Sequence, residues 1–451
     1  MLIRFTAENY KAISGLVELN LTPSSSVRRL SHHISPVRSH GLKTLRGAVI
    51  YGANASGKSN LCEAVDFVRF LIKNSLPKQG TKLVPFDDKK DSRLEYEIAI
   101  NDKAYAFGMV LNKKLIKEEW LYEISNDNEN LIYKKFMDIE GASIVEFDPS
   151  IITDINSEDE LYLRFIHRST PENGLLLSQF FEKFEKRDSK LHNAISNVYD
   201  WFADTLEIIT PDSKYMNFES DIIESENCNT FYSTFLKAFD TGIDCITSIK
   251  HKKQDLPNKV IENIDFILEN EEEGEYIVHN NGSRYSIKIN DQGELLDVSE
   301  VIFKASNNSN KKFYTLDELS DGTKRLIDIV PALFAAIYSG KVLFIDEIDR
   351  SLHPLITKIL IEYFYSSDVK PLGQLIVTTH ESRLMDQDYL RKDEIWFVQK
   401  EHDSSSLLYS LDDYVLRNDK SLINDYLDGR FGAVLDYKKS KACLMELINN
   451  A

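Results

Sequence analysis

The sequence has few cysteines, and their spacing excludes two kinds of cysteine-based site. Only four cysteines occur among 451 residues, at Cys62, Cys228, Cys245 and Cys443, and none of them forms a CxxC pair. A structural zinc site or a disulfide framework normally shows closely spaced cysteines. We therefore expect four reduced thiols, as is usual for proteins of a reducing compartment.

Long apolar runs are also absent. The longest run, Ile329–Tyr338, has about ten residues, whereas a membrane-spanning helix needs ~20. The first ten residues, MLIRFTAENY, contain no apolar stretch of the length that a signal peptide requires. These absences predict a cytoplasmic protein with no membrane partner.

The sequence has fewer basic than acidic residues. Lys and Arg number 54 against 72 Asp and Glu, which gives a net charge of −18. This balance argues against a protein whose whole surface binds nucleic acid or anionic lipid, but it leaves a local basic groove possible. Two local basic clusters occur, at 183–190 and 251–253, and we interpret both mainly as solvated faces.

The chain divides into three segments by its pattern. Residues 1–125 contain a short buried strand at 46–51, then an amphipathic helix and paired strands. Residues 126–310 carry mostly helical spacing together with one β-hairpin signal, Asn281–Gly282, and no sustained heptads. Residues 311–451 return to alternating strands and helices. The predicted fold class is α/β with a parallel sheet, and with a mostly helical insertion that lacks a long coiled coil.

The most specific motif is GANASGKS at Gly52–Ser59, which matches G-x-x-x-x-G-K-S between a buried strand and a helix. Glycines allow backbone amides to surround phosphate groups, and the helix N-terminus adds positive potential. Lys58 is predicted to reach the β- and γ-phosphates, and the Ser59 hydroxyl to bind Mg²⁺. The predicted nucleotide-binding residues of this loop are Gly52, Asn54, Ser56, Gly57, Lys58, Ser59 and Asn60.

Two further strands end in polar residues. The apolar strand at 342–345 is followed by Asp346, predicted to bind Mg²⁺, and by Glu347, predicted to polarise the attacking water. His380 follows the strand at 374–378 and is predicted to contact the γ-phosphate or that water. The segment LSDGT at 319–323 admits two interpretations, a capped helix start or a second phosphate site.

The ordered set GANASGKSN, LSDGT, VLFIDEID, SLHP and VTTH resembles the ATPase family that includes ABC, SMC, RecF and OLD proteins. The resemblance implies an ABC-type P-loop ATPase head, in which helices flank a mixed sheet. It also implies ATP and Mg²⁺ as ligands, and a homodimer that encloses two ATP molecules head to tail. It implies that Ser320, Gly322 and Thr323 of one subunit contact the nucleotide of the other, with residues 348–352 crossing between subunits. The segment at 9–11 resembles the N-terminal segment of SMC-like proteins whose basic residue approaches the nucleotide, which implies that Lys11 lies near it.

Lys58 and Ser320 lie 262 positions apart, a spacing that resembles the SMC-like branch. The compact insertion and the runs RKDEIWFVQ and YLDGRFG resemble a bacterial ATPase subfamily of abortive infection and other anti-phage systems, which includes the AriA ATPase of PARIS. That resemblance implies a homodimer or higher homo-oligomer that controls a separate effector, such as a Toprim-type nuclease, in response to a phage-encoded trigger. The alternatives are a RecF/SMC-like DNA-binding ATPase of DNA repair and, least favoured by the motif spacing, a transporter ATPase.

Overall fold

In a computed structural model, the described part of the chain falls into two compact units. The described residues are 1–37, 41–74, 76, 83–125, 128–153, 157–184, 189–213, 219, 222–223, 225–270, 273–305, 313–366, 368–415, 421–435, 441 and 445. The first unit combines Met1–Thr210, Ala335–Ile348 and Lys358–Ala451, and the second combines Pro211–Phe334 and Asp349–Thr357.

The first unit contains a seven-stranded antiparallel sheet. Its strands are β1 (Leu2–Glu8), β2 (Val17–Asn20), β6 (Ser92–Ile100), β7 (Lys103–Leu111), β8 (Ile116–Ile124), β9 (Glu129–Met137) and β10 (Ser143–Phe147), in the order β10-β9-β8-β7-β6-β1-β2. The predicted turn between the paired strands is confirmed, because Asn101 and Asp102 both have positive φ between β6 and β7. A separate pair is formed by β3 (Ile34–Pro36) and β4 (Lys43–Leu45).

The six-stranded sheet of the first unit carries the candidate site. Its strands are β5 (Gly47–Tyr51), β11 (Leu206–Ile209), β17 (Val342–Ile345), β18 (Gln374–Thr379), β19 (Ile395–Lys400) and β20 (Ser406–Ser410), in the order β11-β17-β18-β5-β19-β20. The first five strands in this order run parallel, and β20 is antiparallel to β19. Every residue of β5, β17 and β18 is buried, as expected for central parallel strands.

Helices flank these sheets. They are α1 (Lys58–Asn74), α2 (Pro149–Thr153), α3 (Ser157–Ser169), α4 (Leu176–Lys183), α5 (Lys190–Asp200), which continues as a π-helix at Trp201–Thr205, and α10 (Leu422–Leu427). The α1 helix buries one apolar face, including Leu61, Val65 and Val68, in the main core of the first unit. Short 3₁₀ turns occur at Ser31–His33, Lys253–Asp255, Leu316–Glu318, Ser382–Leu384, Lys392–Glu394 and Leu411–Asp413.

The second unit has an antiparallel sheet of its own. Its strands are β12 (Ile243–Lys250), β13 (Gly274–Asn280), β14 (Ser283–Ile289), β15 (Leu295–Ala305) and β16 (Phe313–Tyr314), in the order β12-β15-β14-β13 with β16 beside β15. Its helices are α6 (Glu226–Ala238) and α7 (Asn258–Asn270), and α7 packs its buried face on this sheet. The helices α8 (Asp321–Tyr338) and α9 (Pro354–Tyr365) each have residues in both units.

The predicted α/β class with a mixed sheet and flanking helices is confirmed. The units divide the chain differently from the predicted segments 1–125, 126–310 and 311–451. Strands β9 and β10 continue the N-terminal sheet because β9 pairs with β8, so residues 129–147 belong with the first segment in space. Within 126–310 the described chain forms seven strands as well as helices, and no described helix there exceeds 13 residues.

Two further sequence predictions concern the basic cluster at 183–190 and the lack of a membrane-spanning helix. Positions 185–188 of the basic cluster at 183–190 lie outside the described residues. No described helix combines the length and the apolar character that crossing a bilayer requires.

Candidate functional site

The loop Gly52–Ser59 lies at the carboxyl end of β5, in the interior of the parallel sheet, and leads directly into α1. Two of its residues adopt left-handed backbone conformations, Ala55 with φ of 60° and Gly57 with φ of 109°. A Cβ atom on Gly57 would lie 2.1 Å from the Ser406 hydroxyl oxygen. Glycine is therefore required here both by the backbone and by its neighbour.

Lys58 lies across this loop rather than in open solvent. Its side chain is almost fully buried, and its ammonium group donates to the backbone oxygens of Gly52 at 2.8 Å and Ala53 at 3.1 Å. The positive charge is therefore held over the turn that the sequence predicts to surround phosphate groups.

The acidic pair is positioned by the neighbouring strand. Ile345 of β17 is paired in register with Val377 of β18, so Asp346 lies opposite Thr378. The Thr378 hydroxyl donates to an Asp346 carboxylate oxygen at 2.5 Å and accepts the Glu347 backbone N–H at 2.8 Å. Thr378 also accepts the N–H of Ile348 through its backbone oxygen at 3.1 Å. One threonine thus orients the whole turn that follows β17.

Glu347 has an unusual backbone conformation. Its φ of 49° lies in the left-handed region, which costs a residue other than glycine about 1–2 kcal/mol. Such conformations persist where surrounding contacts fix them, and they concentrate at functional sites. Here the contacts with Thr378 fix the conformation, and the Glu347 side chain lines the cavity described below.

The Asp346 carboxylate acts electrostatically on α1. Burial raises the pKa of the Cys62 thiol on α1, the Asp346 carboxylate raises it further, and Lys58 acts in the opposite direction. Ser59 lies on the same helix, and the two predicted Mg²⁺ ligands, Ser59 and Asp346, both belong to the first unit. Among the described residues no group of three His, Cys, Asp or Glu side chains could hold a metal ion. A hydroxyl and one carboxylate suit Mg²⁺, which commonly takes its remaining ligands from phosphate oxygens and water.

A cavity of about 480 Å³ brings most of the predicted residues together within the first unit. Its lining consists of Ala12, the seven loop residues from Asn54 to Asn60, Glu347, His380, Lys400 and Ser404. Its volume falls within the range of about 300–1,000 Å³ that is usual for small-molecule sites. The predicted phosphate loop, water-polarising carboxylate and histidine therefore share one space of the size a nucleotide needs.

Several residues of the cavity carry no sequence motif and were not predicted. Lys400 is the last residue of β19, and Ser404 lies in the turn between β19 and β20. Ser406, at the start of β20, donates its hydroxyl to the Ser56 backbone oxygen at 2.6 Å and its N–H to Ala12 at 2.7 Å. The only available signal was the apolar strand at 394–399, whose position beside β5 depends on the order of strands in the sheet.

Lys11 has a different neighbour from the one expected. Its ammonium group forms an ion pair with Glu63 of α1, its backbone N–H donates to Val84 at 2.6 Å, and desolvation lowers its pKa. The cavity is lined by the adjacent Ala12. A contact of Lys11 with a nucleotide stays a prediction.

The LSDGT segment lies in the second unit at the start of α8. The Ser320 hydroxyl accepts the Thr323 backbone N–H at 3.2 Å and lies 2.9 Å from the Thr323 hydroxyl, so Ser320 caps the helix. A Cβ atom on Gly322 would lie 2.9 Å from the backbone oxygen of Ser351. The capped helix start is thus present, and the contact of Ser320, Gly322 and Thr323 with a nucleotide stays a prediction.

The basic cluster at 251–253 is largely neutralised. His251 Nε2 lies 3.0 Å from a Glu300 carboxylate oxygen, and the Lys253 ammonium group pairs with Asp265. Two of its three residues thus face acidic partners, which does not favour a phosphate-binding surface.

Comparisons with known proteins identify one family. A family model described as "AAA domain, putative AbiEii toxin, Type IV TA system" matches residues 48–386, more than half of the chain. Comparison with curated proteins finds no significant match. Among solved structures, the SmcHead bound to the C-winged helix domain of ScpA is 14% identical, with a TM-score of 0.40, over 91% of this chain and 97% of that one. The SMC head domain from Thermotoga maritima is 11% identical, with a TM-score of 0.37, over 91% and 98%.

Proposed function

The chain belongs to the AAA-domain family described for AbiEii-type toxins of type IV TA systems, and from this premise we propose that it binds and hydrolyses ATP to control an effector in anti-phage defence. The observation that carries the ATPase proposal is the shared cavity. It joins the phosphate loop to Glu347 and His380, which follow the loop by nearly 300 residues or more in sequence.

Each residue has a definite role in this proposal. Lys58 neutralises charge on the β- and γ-phosphates, and Ser59 and Asp346 hold Mg²⁺, which supplies further charge neutralisation. Glu347 accepts a proton from the water that attacks the γ-phosphate. His380, whose side chain is exposed in the cavity wall, contacts the γ-phosphate or that water.

The proposal includes an ATP-dependent homodimer, or a higher homo-oligomer, in which Ser320, Gly322 and Thr323 of one subunit complete the site of another. The support is the resemblance of LSDGT to a signature sequence, together with the helix N-terminus that Ser320 caps. The effector and the phage-encoded trigger are separate proteins in this scheme. The family description, which names a toxin of a TA system, supports a role in a system with more than one component. The DNA-repair alternative gains no support from the neutralised cluster at 251–253.

Two substitutions test the ATPase proposal. Lys58→Ala should abolish ATP binding, because the positive charge held over the loop is lost. Glu347→Gln should retain ATP binding but hydrolyse ATP roughly 10²–10⁴-fold more slowly, because an amide is a far weaker proton acceptor. Binding is measured by calorimetry, hydrolysis by phosphate release, and the trapped dimer by light scattering with ATP.

The exposed carboxylate Glu140 provides a matched control, and Glu140→Gln should leave hydrolysis unchanged. Hydrolysis at the normal rate by Glu347→Gln would overturn the role assigned to Glu347. The defence role is tested separately, by phage plating on cells that express the chain with its neighbouring genes. Protection that is lost with Lys58→Ala supports it, whereas no protection by the natural sequence contradicts it without affecting the ATPase assignment.

A further inference from the structure

We propose that the end of β19 and the turn after it, residues 400–404, hold the ribose and base of the nucleotide, with Lys400 and Ser404 as their polar contacts. This inference rests on the proposed binding of ATP at Gly52–Ser59. It assigns the part of the cavity that the phosphate loop, Glu347 and His380 leave unexplained.

The order of strands sets the direction of a bound nucleotide. Glu347 follows β17 and His380 follows β18, both on one side of β5, whereas Lys400 ends β19 on the other side. Neighbouring strands are ~4.8 Å apart, so the distance from β17 to β19 is roughly 14 Å, three strand spacings. A γ-phosphate beside Glu347 and a triphosphate over β5 leave the nucleoside end to continue toward β19.

The turn is held in place from both sides. The strand after the turn is tied to the phosphate loop and to the N-terminal segment through its first residue, Ser406, which donates to the backbone oxygens of Ser56 at 2.6 Å and Ala12 at 2.7 Å. Within the turn, the Ser404 N–H donates to Glu401 at 3.0 Å, and Asp403 accepts the Ser405 N–H at 2.9 Å. The wall that Ala12 and Ser404 present to the cavity therefore exists before any ligand binds, as in most small-molecule sites.

Lys400 differs from the other lysines near the cavity. Lys58 donates to loop carbonyls and Lys11 pairs with Glu63, but within the described part of the chain Lys400 forms no ion pair. Its exposed side chain lines the cavity and offers three donors. Ribose hydroxyl oxygens and purine ring nitrogens are acceptors, and the Ser404 hydroxyl can both donate and accept. The hydrogen-bonding groups of Lys400 and Ser404 therefore suit a nucleoside.

The test compares ATP with inorganic tripolyphosphate, which has the phosphates but no nucleoside. Dissociation constants are measured by calorimetry with Mg²⁺ on the full chain. Lys400→Ala should weaken ATP binding about tenfold, the effect of losing one charge-assisted hydrogen bond, and change tripolyphosphate binding less than twofold. Ser404→Ala should weaken ATP binding by a smaller factor with the same selectivity, and Lys400→Arg should restore most of the affinity.

Lys43→Ala is the control, since it removes one exposed positive charge on β4 and should change neither affinity. Equal weakening of ATP and tripolyphosphate by Lys400→Ala would place Lys400 at the phosphates and overturn the inference, as would unchanged ATP affinity. Lys58→Ala should weaken both ligands. A natural sequence that binds neither ligand would overturn the proposed function as well, so the two failures are distinguishable.

Discussion

Two edges of the six-stranded sheet hold buried polar groups in different ways. At the carboxyl edge, Asp346 and Thr378 support Glu347, whose side chain faces a cavity and whose backbone is strained. At the other edge, the turn before β19 buries Arg391, Asp393 and Glu394 against the segment before β3.

At this second edge the buried charges have protein partners. Arg391 forms a bidentate ion pair with Asp393, at 2.9 and 2.7 Å, and donates to the backbone oxygen of Arg29 at 2.7 Å. The other end of the network is His33, which lies 2.9 Å from Glu394 and stacks on Tyr365 at a centroid distance of 4.4 Å. The two edges therefore differ, because the polar residues of one lie beside a cavity, whereas those of the other join distant segments of the chain.

The largest expected effect on stability is at the edge that contains Arg391 and Asp393. Arg391→Met should lower the free energy of unfolding by about 3–5 kcal/mol, because Asp393 would remain buried without its partner. Urea denaturation measures this loss. ATP affinity per folded molecule should not change, since Arg391 does not line the cavity that we propose to bind ATP.

The neighbouring Lys392→Met is the control. Its ion pair with Asp412 is partly exposed, at 3.4 Å, so we expect a loss of less than about 1 kcal/mol. If Arg391→Met cost no more than Lys392→Met, or if it weakened ATP binding, the contrast between the two edges would be wrong.

A smaller effect is expected at the carboxyl edge, and it concerns hydrolysis more than stability. Thr378→Val keeps the side-chain volume but removes the hydroxyl that orients Asp346 and Glu347. Hydrolysis should slow by about 10–100-fold, while ATP affinity stays nearly unchanged. The free energy of unfolding should fall by about 1–2 kcal/mol. Steady-state kinetics separates the change in kcat from that in KM.

Thr357→Val provides a matched control, because Thr357 is fully buried and no hydrogen-bond partner of its hydroxyl is found among the described residues. This variant should leave both hydrolysis and stability close to their original values. A Thr378→Val protein with unchanged kcat would show that Thr378 has only a packing role.

The sequence predicted those parts of the site that are continuous in the chain. The loop Gly52–Ser59, the helix Lys58–Asn74 and the Asp346–Glu347 pair each follow from local pattern, because spacing within a strand–loop–helix unit is fixed by backbone geometry. The structure brings the loop, Glu347 and His380 together at one edge, as parallel strands require.

The parts that were not predicted depend on contacts between distant segments. Ser406 meets Ser56 across 350 positions, and Asp393 meets the Ser24 N–H across 369. These pairings follow from the order of strands, which no local pattern in this sequence encodes. The structure differs from the predicted segment boundary at residue 125 for the same reason. Strand β9 lies beyond that boundary but pairs with β8, and this pairing is a property of the assembled sheet.

The smallest effect concerns protons on the His33–Glu394 pair. Burial raises the pKa of the Glu394 carboxyl well above its ordinary 4.5, and burial, reinforced by the Arg391 and Arg46 charges, lowers the pKa of His33 from 6.5 to about 4. Between these values the folded pair holds one proton, on Glu394. The unfolded chain holds one proton between pH 4.5 and 6.5, on the histidine, and none above pH 6.5.

Stability should therefore be insensitive to this pair between pH 4.5 and 6.5, because folded and unfolded chains bind equal numbers of protons there. Above pH 6.5 the folded pair holds one more proton, so stability should fall by up to about 1.4 kcal/mol per pH unit until Glu394 ionises. Glu394→Gln removes the carboxyl but keeps a donor for His33. The stability of this variant should instead rise from pH 4 to 6.5, because in that range His33 is protonated only in the unfolded chain. Above pH 6.5 it should level off. Urea midpoints at pH 5, 6.5 and 8 distinguish the profiles, and parallel profiles for both proteins would show that Glu394 is ionised in the fold.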